Sequence, residues 1–88
     1  MPDRHPHSYE AVLSSGASAF LVEQPKQVQR SLLALIEGLA GQPAQLGNYS
    51  FQDSTGRSVQ AIRMGRFNFT YWADHPVKEL RIVEISIL

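Results

Sequence analysis

The sequence predicts a small α+β domain of two layers: a helical pair packed on one face of an antiparallel sheet of four strands, with a short N-terminal segment offering a fifth. Three observations predict it. An apolar stripe at helical spacing runs through residues 26–39. After Gly47 the apolar period drops from 3.6 to 2. The segments that follow are joined by turns too short for a parallel return, which needs a crossover of about a dozen residues, so they must lie antiparallel.

Residues 8–13 can form a short strand with Tyr9, Ala11 and Leu13 on one face, although Val12 interrupts the alternation. Ser14 or Ser15 is placed to cap a short helix reaching about Gln24, with Ala17, Phe20 and Leu21 turned inward. Pro25 separates this helix from a second one that starts at Lys26. There Val28, Leu32, Leu35, Ile36 and Leu39 share one face, Gly41 offers a left-handed cap, and Pro43 prevents the helix from resuming.

Beyond Gly47, residues 48–53 read as a short strand with Tyr49 and Phe51 on one side. Ser54-Thr55-Gly56 is turn chemistry, and residues 58–64 form the next strand. Gly65-Arg66 breaks it. Phe67, Phe69 and Tyr71 then alternate with Asn68, Thr70 and Trp72, a strongly amphipathic aromatic strand. Asp74-His75-Pro76 makes another turn. The last strand is expected to carry Val83, Ile85 and Ile87 on one face and Leu80 and Ile82 on the other.

The composition narrows the function classes. Eighty-eight residues suffice for one domain, read as 1–88 with residues 1–7 as a flexible leader. The leader holds His5 and His7 but no apolar run, so neither a signal peptide nor a membrane span is expected, and the protein is read as cytoplasmic. The absence of cysteine removes disulfides and thiolate metal sites, and no metal or cofactor is expected. Gly38, Gly41 and Gly47 are too widely spread to cradle a nucleotide in a glycine loop. A required core in so short a chain leaves little room for a ligand pocket.

The formal net charge is zero, so any grip on nucleic acid must come from a local patch. Arg57, Arg63 and Arg66 supply the candidate, with no acid between Asp53 and Asp74. Surface arginines near hairpin turns are common, so the competing reading is solvated turn residues. His75 is a candidate general acid or base near neutral pH, set against an exposed turn histidine. Trp72 points away from the core aromatics and could anchor a partner, or pack against strand neighbours such as Ile82.

The order of elements resembles the RelE/ParE superfamily of bacterial toxins. The second helix is similar in its Pro25-Lys26 start, its Leu32 to Leu39 stripe and the Pro43 that follows. Family members often read Arg, apolar, Gly, Asp, Tyr, Arg, two apolar residues and Tyr across a tight hairpin. Here the same stretch is Arg63-Met64-Gly65-Arg66-Phe67-Asn68-Phe69-Thr70-Tyr71. Arg63, Gly65 and Tyr71 coincide, while Arg66 and Asn68 depart.

The resemblance implies the toxin component of a type II toxin–antitoxin system, neutralised by a cognate antitoxin. Its target would be translation, through ribosome-dependent mRNA cleavage, or DNA gyrase. It also implies basic residues on the sheet for RNA chemistry, and most of them are replaced. The strand positions fall near Val59 and Ala61, the arginine after the turn becomes Asn68, and the C-terminal arginine and tyrosine lie where this sequence reads Ile87 and Leu88. Arg63 alone lands on a basic position. The alternative is therefore a non-catalytic protein-binding module that keeps the toxin fold.

Overall fold

A computed structural model describes residues 8–88. The leader, with His5 and His7, lies outside the described residues. The elements run β1 (Glu10–Leu13), α1 (Ser15–Val22), α2 (Lys26–Ala40), β2 (Tyr49–Gln52), β3 (Ser58–Met64), β4 (Phe67–Asp74) and β5 (Glu79–Ile87). They make one five-stranded sheet in the order β1-β5-β4-β3-β2. The meander β2 to β5 is antiparallel throughout, as the short turns require. The fifth strand is β1, and it pairs parallel with β5, Glu10 opposite Glu79 through Leu13 opposite Ile82. That pairing is possible because α1, α2 and the meander separate the two strands in sequence.

Ser14 starts α1. Its extended backbone and its Oγ, which accepts the Ala17 N–H at 3.0 Å, form an N-cap. Pro25 stands at the N-cap of α2 and accepts the Gln29 N–H at 2.9 Å. The Gln29 side chain donates to the carbonyls of Val22 and Gln24, satisfying the open end of α1. At the far end of α2, Gly41 keeps a right-handed conformation (φ −72°), so the left-handed cap does not form. The reason is that the chain continues the helical turn, with Gly41 and Gln42 N–H bonded to Glu37 and Leu39 carbonyls.

The core lies between the helices and one face of the sheet. Ala17, Leu32, Ile36, Leu39 and Ala40 meet Ile62, Phe67, Phe69, Tyr71, Leu80, Ile82 and Ile85. Tyr9, Ala11 and Leu13 pack at its margin, on the one face that their alternation implies.

The expected split of β5 into two faces is corrected by a β-bulge. Tyr71 pairs with Ile82 but Thr70 pairs with Glu84, so Val83 is an extra residue. The phase shifts by one there. Leu80, Ile82 and Ile85 all enter the core, and Val83 is left 43% exposed. Strict alternation would sacrifice either Leu80 and Ile82 or Ile85, at about 1.5–3 kcal/mol per buried side chain.

Candidate functional site

The helices leave the second face of the sheet open, and the side chains on it follow from register. Ala61 lies opposite Thr70, Arg63 opposite Asn68, and Arg81 opposite Trp72, all in the phase that faces away from Phe69 and Tyr71. Val59 (4% exposed) and Ala61 (1%) are buried although they stand outside the main core cluster. Their register partners Phe51 and Tyr49 on β2 stay exposed. Gly47 closes over this strand so tightly that a Cβ would lie 2.3 Å from the Ala61 carbonyl oxygen. The centre of β3 is therefore apolar and covered, where the resemblance expects basic groups.

The three candidate arginines do not converge. Arg57 precedes β3 and Arg63 is near its other end, about 20 Å away at roughly 3.3 Å per residue. Arg66 sits in the hairpin turn, its guanidinium 5.6 Å from the Phe67 ring centroid. Arg63 is exposed, and its backbone N–H donates to Asn48 Oδ1 at 2.7 Å. Neither Arg63 nor Arg66 forms an ion pair among the described residues.

Arg57 belongs to a different group. Its guanidinium lies 3.8 Å from the Trp72 ring centroid, and that of Arg81 lies 5.7 Å away. Trp72 thus faces the helix-free side as its alternation implies, and it is half-buried there. Arg81 is neutralised by Glu79 at 2.8 Å and Asp74 at 3.4 Å. Arg57 keeps a longer, 3.7 Å contact to Asp53. Asp53 Oδ1 accepts from Thr55 Oγ1 and from the Thr55 and Arg57 backbone N–H groups. The Thr55 hydroxyl contributes most to holding this carboxyl below its usual range.

His75 occupies the β4–β5 turn and is exposed, but it is not isolated. The Tyr9 hydroxyl lies 2.7 Å from its Nδ1, and the two rings meet edge to face with centroids 5.6 Å apart. This pair borders a cavity of about 680 Å³ beneath the end of α2, also lined by Gln42, Gln45 and Lys78. A second hollow of about 420 Å³ shares Pro43, Ala44, Gln45 and His75 with it and extends to Trp72 and Arg57. The expectation that a required core leaves little room for a pocket concerns the interior, and this cavity lies instead between loops at the surface.

Tyr9, Lys78 and Arg81 were not among the sequence candidates. Arg81 was within reach, since folding the sequence about the His75 turn sets it across from Trp72. Tyr9 meets His75 only because β1 pairs with β5, and no local pattern encodes that pairing. Among the described residues there is no cluster of three metal-ligating side chains and no helix long and apolar enough to cross a membrane.

No protein-family model matches this sequence. No curated protein matches it either. Solved structures do. A RelE chain of the toxin–antitoxin complex RelBE2 from Mycobacterium tuberculosis superposes with a TM-score of 0.77 over 98% of both chains, at 16% identity. This chain has the RelE fold. A RelE chain of the RelE–RelB complex from Pyrococcus horikoshii OT3 gives a TM-score of 0.69 at 17% identity, covering 91% of this chain and 94% of that one. The RelE fold here comprises both helices and the whole mixed sheet, β1 included.

Proposed function

We propose that this RelE-fold chain is the toxin component of a cytoplasmic type II toxin–antitoxin pair, held in check by a small antitoxin. The observation that carries the reading is the end-to-end superposition on RelE chains that were solved as toxin–antitoxin complexes. An open sheet edge gives the antitoxin a place to dock. β1 pairs with β5 only as far as Ile82, and no strand of the described residues covers β5 beyond it on that side. A hollow lined by Gly16, Phe20, Val83 and Ile85 runs beside this edge. An extended antitoxin segment would continue the line of β1 there and place its side chains against α1.

The target would be translation or gyrase. The covered Val59 and Ala61 and the scattered arginines favour a second reading, in which binding persists and RNA cleavage does not. Stabilising a phosphorane needs cationic donors converging on one place, and Arg57, Arg63 and Arg66 are spread along the sheet.

Expression alone should arrest growth, and co-expression with a neighbouring small reading frame should relieve the arrest and yield a complex on purification. Absence of both arrest and complex would reject the proposal. A complex with no ribosome-dependent cleavage would select the binding module, whereas cleavage abolished by Arg63→Ala would select the nuclease.

A further inference from the structure

The cavity beside Tyr9 and His75 plays no part in the reading above, and its chemistry is specific. It lies on the helix side of the β4–β5 turn, at the end of the sheet where β1 begins. Its volume of about 680 Å³ falls inside the range of roughly 300–1,000 Å³ typical of small-molecule sites.

Its cationic side chain is Lys78, with no carboxylate in the lining to neutralise it. Neither this cavity nor the hollow that adjoins it is lined by an Asp or Glu side chain. The two carboxylates that flank this turn, Asp74 and Glu79, pair with Arg81 on the other face of the sheet. Lys78 forms no ion pair among the described residues. The end of α2 presents few free acceptors, because the carbonyls of Glu37, Leu39 and Ala40 already accept from Gly41, Gln42 and Tyr9.

The Tyr9 contact occupies Nδ1 of His75. When the hydroxyl donates, the ring proton sits on Nε2, which is then free to donate to a ligand. Gln42 and Gln45 add side-chain amides, each able to donate and accept, while Pro43 and Ala44 supply an apolar wall.

The backbone adds an independent observation. Lys78 has φ +56°, the only positive φ at a described residue other than glycine. Glycine or asparagine would fill that turn position more cheaply. The Lys78 carbonyl accepts the Glu10 N–H at 3.0 Å, and its N–H donates to the His75 carbonyl, so the neighbouring chain holds the conformation. These hydrogen bonds fix the lysine at the rim of the acid-free cavity.

We propose that Tyr9, His75 and Lys78 form a binding site for a small phosphorylated ligand with a planar ring, of nucleoside-monophosphate size. Lys78 and His75 Nε2 take the phosphate, and the Gln42 and Gln45 amides read the edge of the ring. The site does not depend on the toxin reading and is absent from its test.

The experiment titrates the full chain with adenosine 5′-monophosphate, inorganic phosphate, adenosine, a hexa-adenylate RNA and a glutamate-rich peptide. Binding is read by calorimetry and by the imidazole resonances of His75, identified by their loss in His75→Ala. The mononucleotide should bind at one site and shift those resonances, more tightly than phosphate or adenosine. Lys78→Gly should weaken it about tenfold or more, the loss of one charge-assisted hydrogen bond. The same substitution should leave the melting temperature equal or higher, since it relieves the turn. Nucleotide binding that is indifferent to both Lys78→Gly and His75→Ala overturns the proposal, as does the absence of nucleotide binding. Preference for the peptide reassigns the cavity to a protein partner, and preference for the hexamer rejects the small-ligand assignment.

Discussion

The Ser14 hydroxyl donates to the Val83 carbonyl at 2.7 Å while accepting the Ala17 N–H at 3.0 Å. One side chain therefore caps α1 and ties it to the bulge residue of β5. The Ser14 backbone N–H donates to the neighbouring Ile82 carbonyl at 2.9 Å, so three bonds converge where β1 ends. The bulge leaves Val83 out of the ladder to β4, and Ser14 supplies the partner that its carbonyl would otherwise take from water.

Ser14→Ala should cost more than an isolated cap. A lost N-cap is worth about 1 kcal/mol and a lost neutral hydrogen bond a further 0.5–1.5 kcal/mol. Equilibrium urea unfolding should show a loss of roughly 1.5–2.5 kcal/mol with an unchanged denaturant slope. A loss below about 0.5 kcal/mol would mean that Val83 is equally well served by solvent.

Two glycines should respond in opposite directions. At Gly47 a Cβ would stand 2.3 Å from the Ala61 carbonyl oxygen and 2.7 Å from its carbon, and backbone does not yield as a side chain does. Gly47→Ala should displace the loop, weaken the Gly47 N–H bond to Gln60 Oε1 (2.9 Å), and cost about 2–3 kcal/mol. Gly38, inside α2, has nothing within 4 Å of its added Cβ. Gly38→Ala should stabilise by about 0.5–1 kcal/mol through helix propensity. Thermal melts of the two variants should move to either side of the parent.

Most of the fold was legible because its signals are local. The stripe of α2, the aromatic alternation of β4 and the Gly65-Arg66 turn each specify their own geometry over a few residues. Gly65 indeed takes the positive φ that such a turn uses. The parallel β1–β5 pairing and the bulge at Val83 were not legible, since each depends on a register between distant segments. The candidate site divided in the same way. The orientation of Trp72 followed from alternation, whereas the Tyr9 contact to His75 spans 66 residues and required the assembled sheet.

The Arg57–Trp72 stack should be measurable by a double-mutant cycle. With the guanidinium 3.8 Å from the ring centroid and Arg57 exposed, the coupling expected is about 0.5–1 kcal/mol. Arg57→Ala, Trp72→Phe and the double variant, compared by urea unfolding, give the coupling directly. Raising the salt concentration should diminish it little, because the Asp53 contact at 3.7 Å contributes less than the ring. A coupling that vanishes in high salt would assign the position of Arg57 to Asp53 instead.

Tyr71 should make the fold sensitive to alkali. Its ring is buried, its hydroxyl donates to the Gln45 carbonyl at 2.8 Å, and burial raises the phenol above its usual value of 10.0. The folded state therefore holds the proton more tightly than the unfolded chain does. The stability this contributes is fully present below pH 10 and is lost as the pH climbs from there through the raised folded value. Unfolding free energies measured between pH 8 and pH 11 should fall on the alkaline side for the parent. Tyr71→Phe should lose about 0.5–1.5 kcal/mol at neutral pH, since Gln45 is an exposed residue whose carbonyl can turn to water. Its remaining alkaline decline should be shallower than the parent's, and equal slopes would place the titrating group elsewhere.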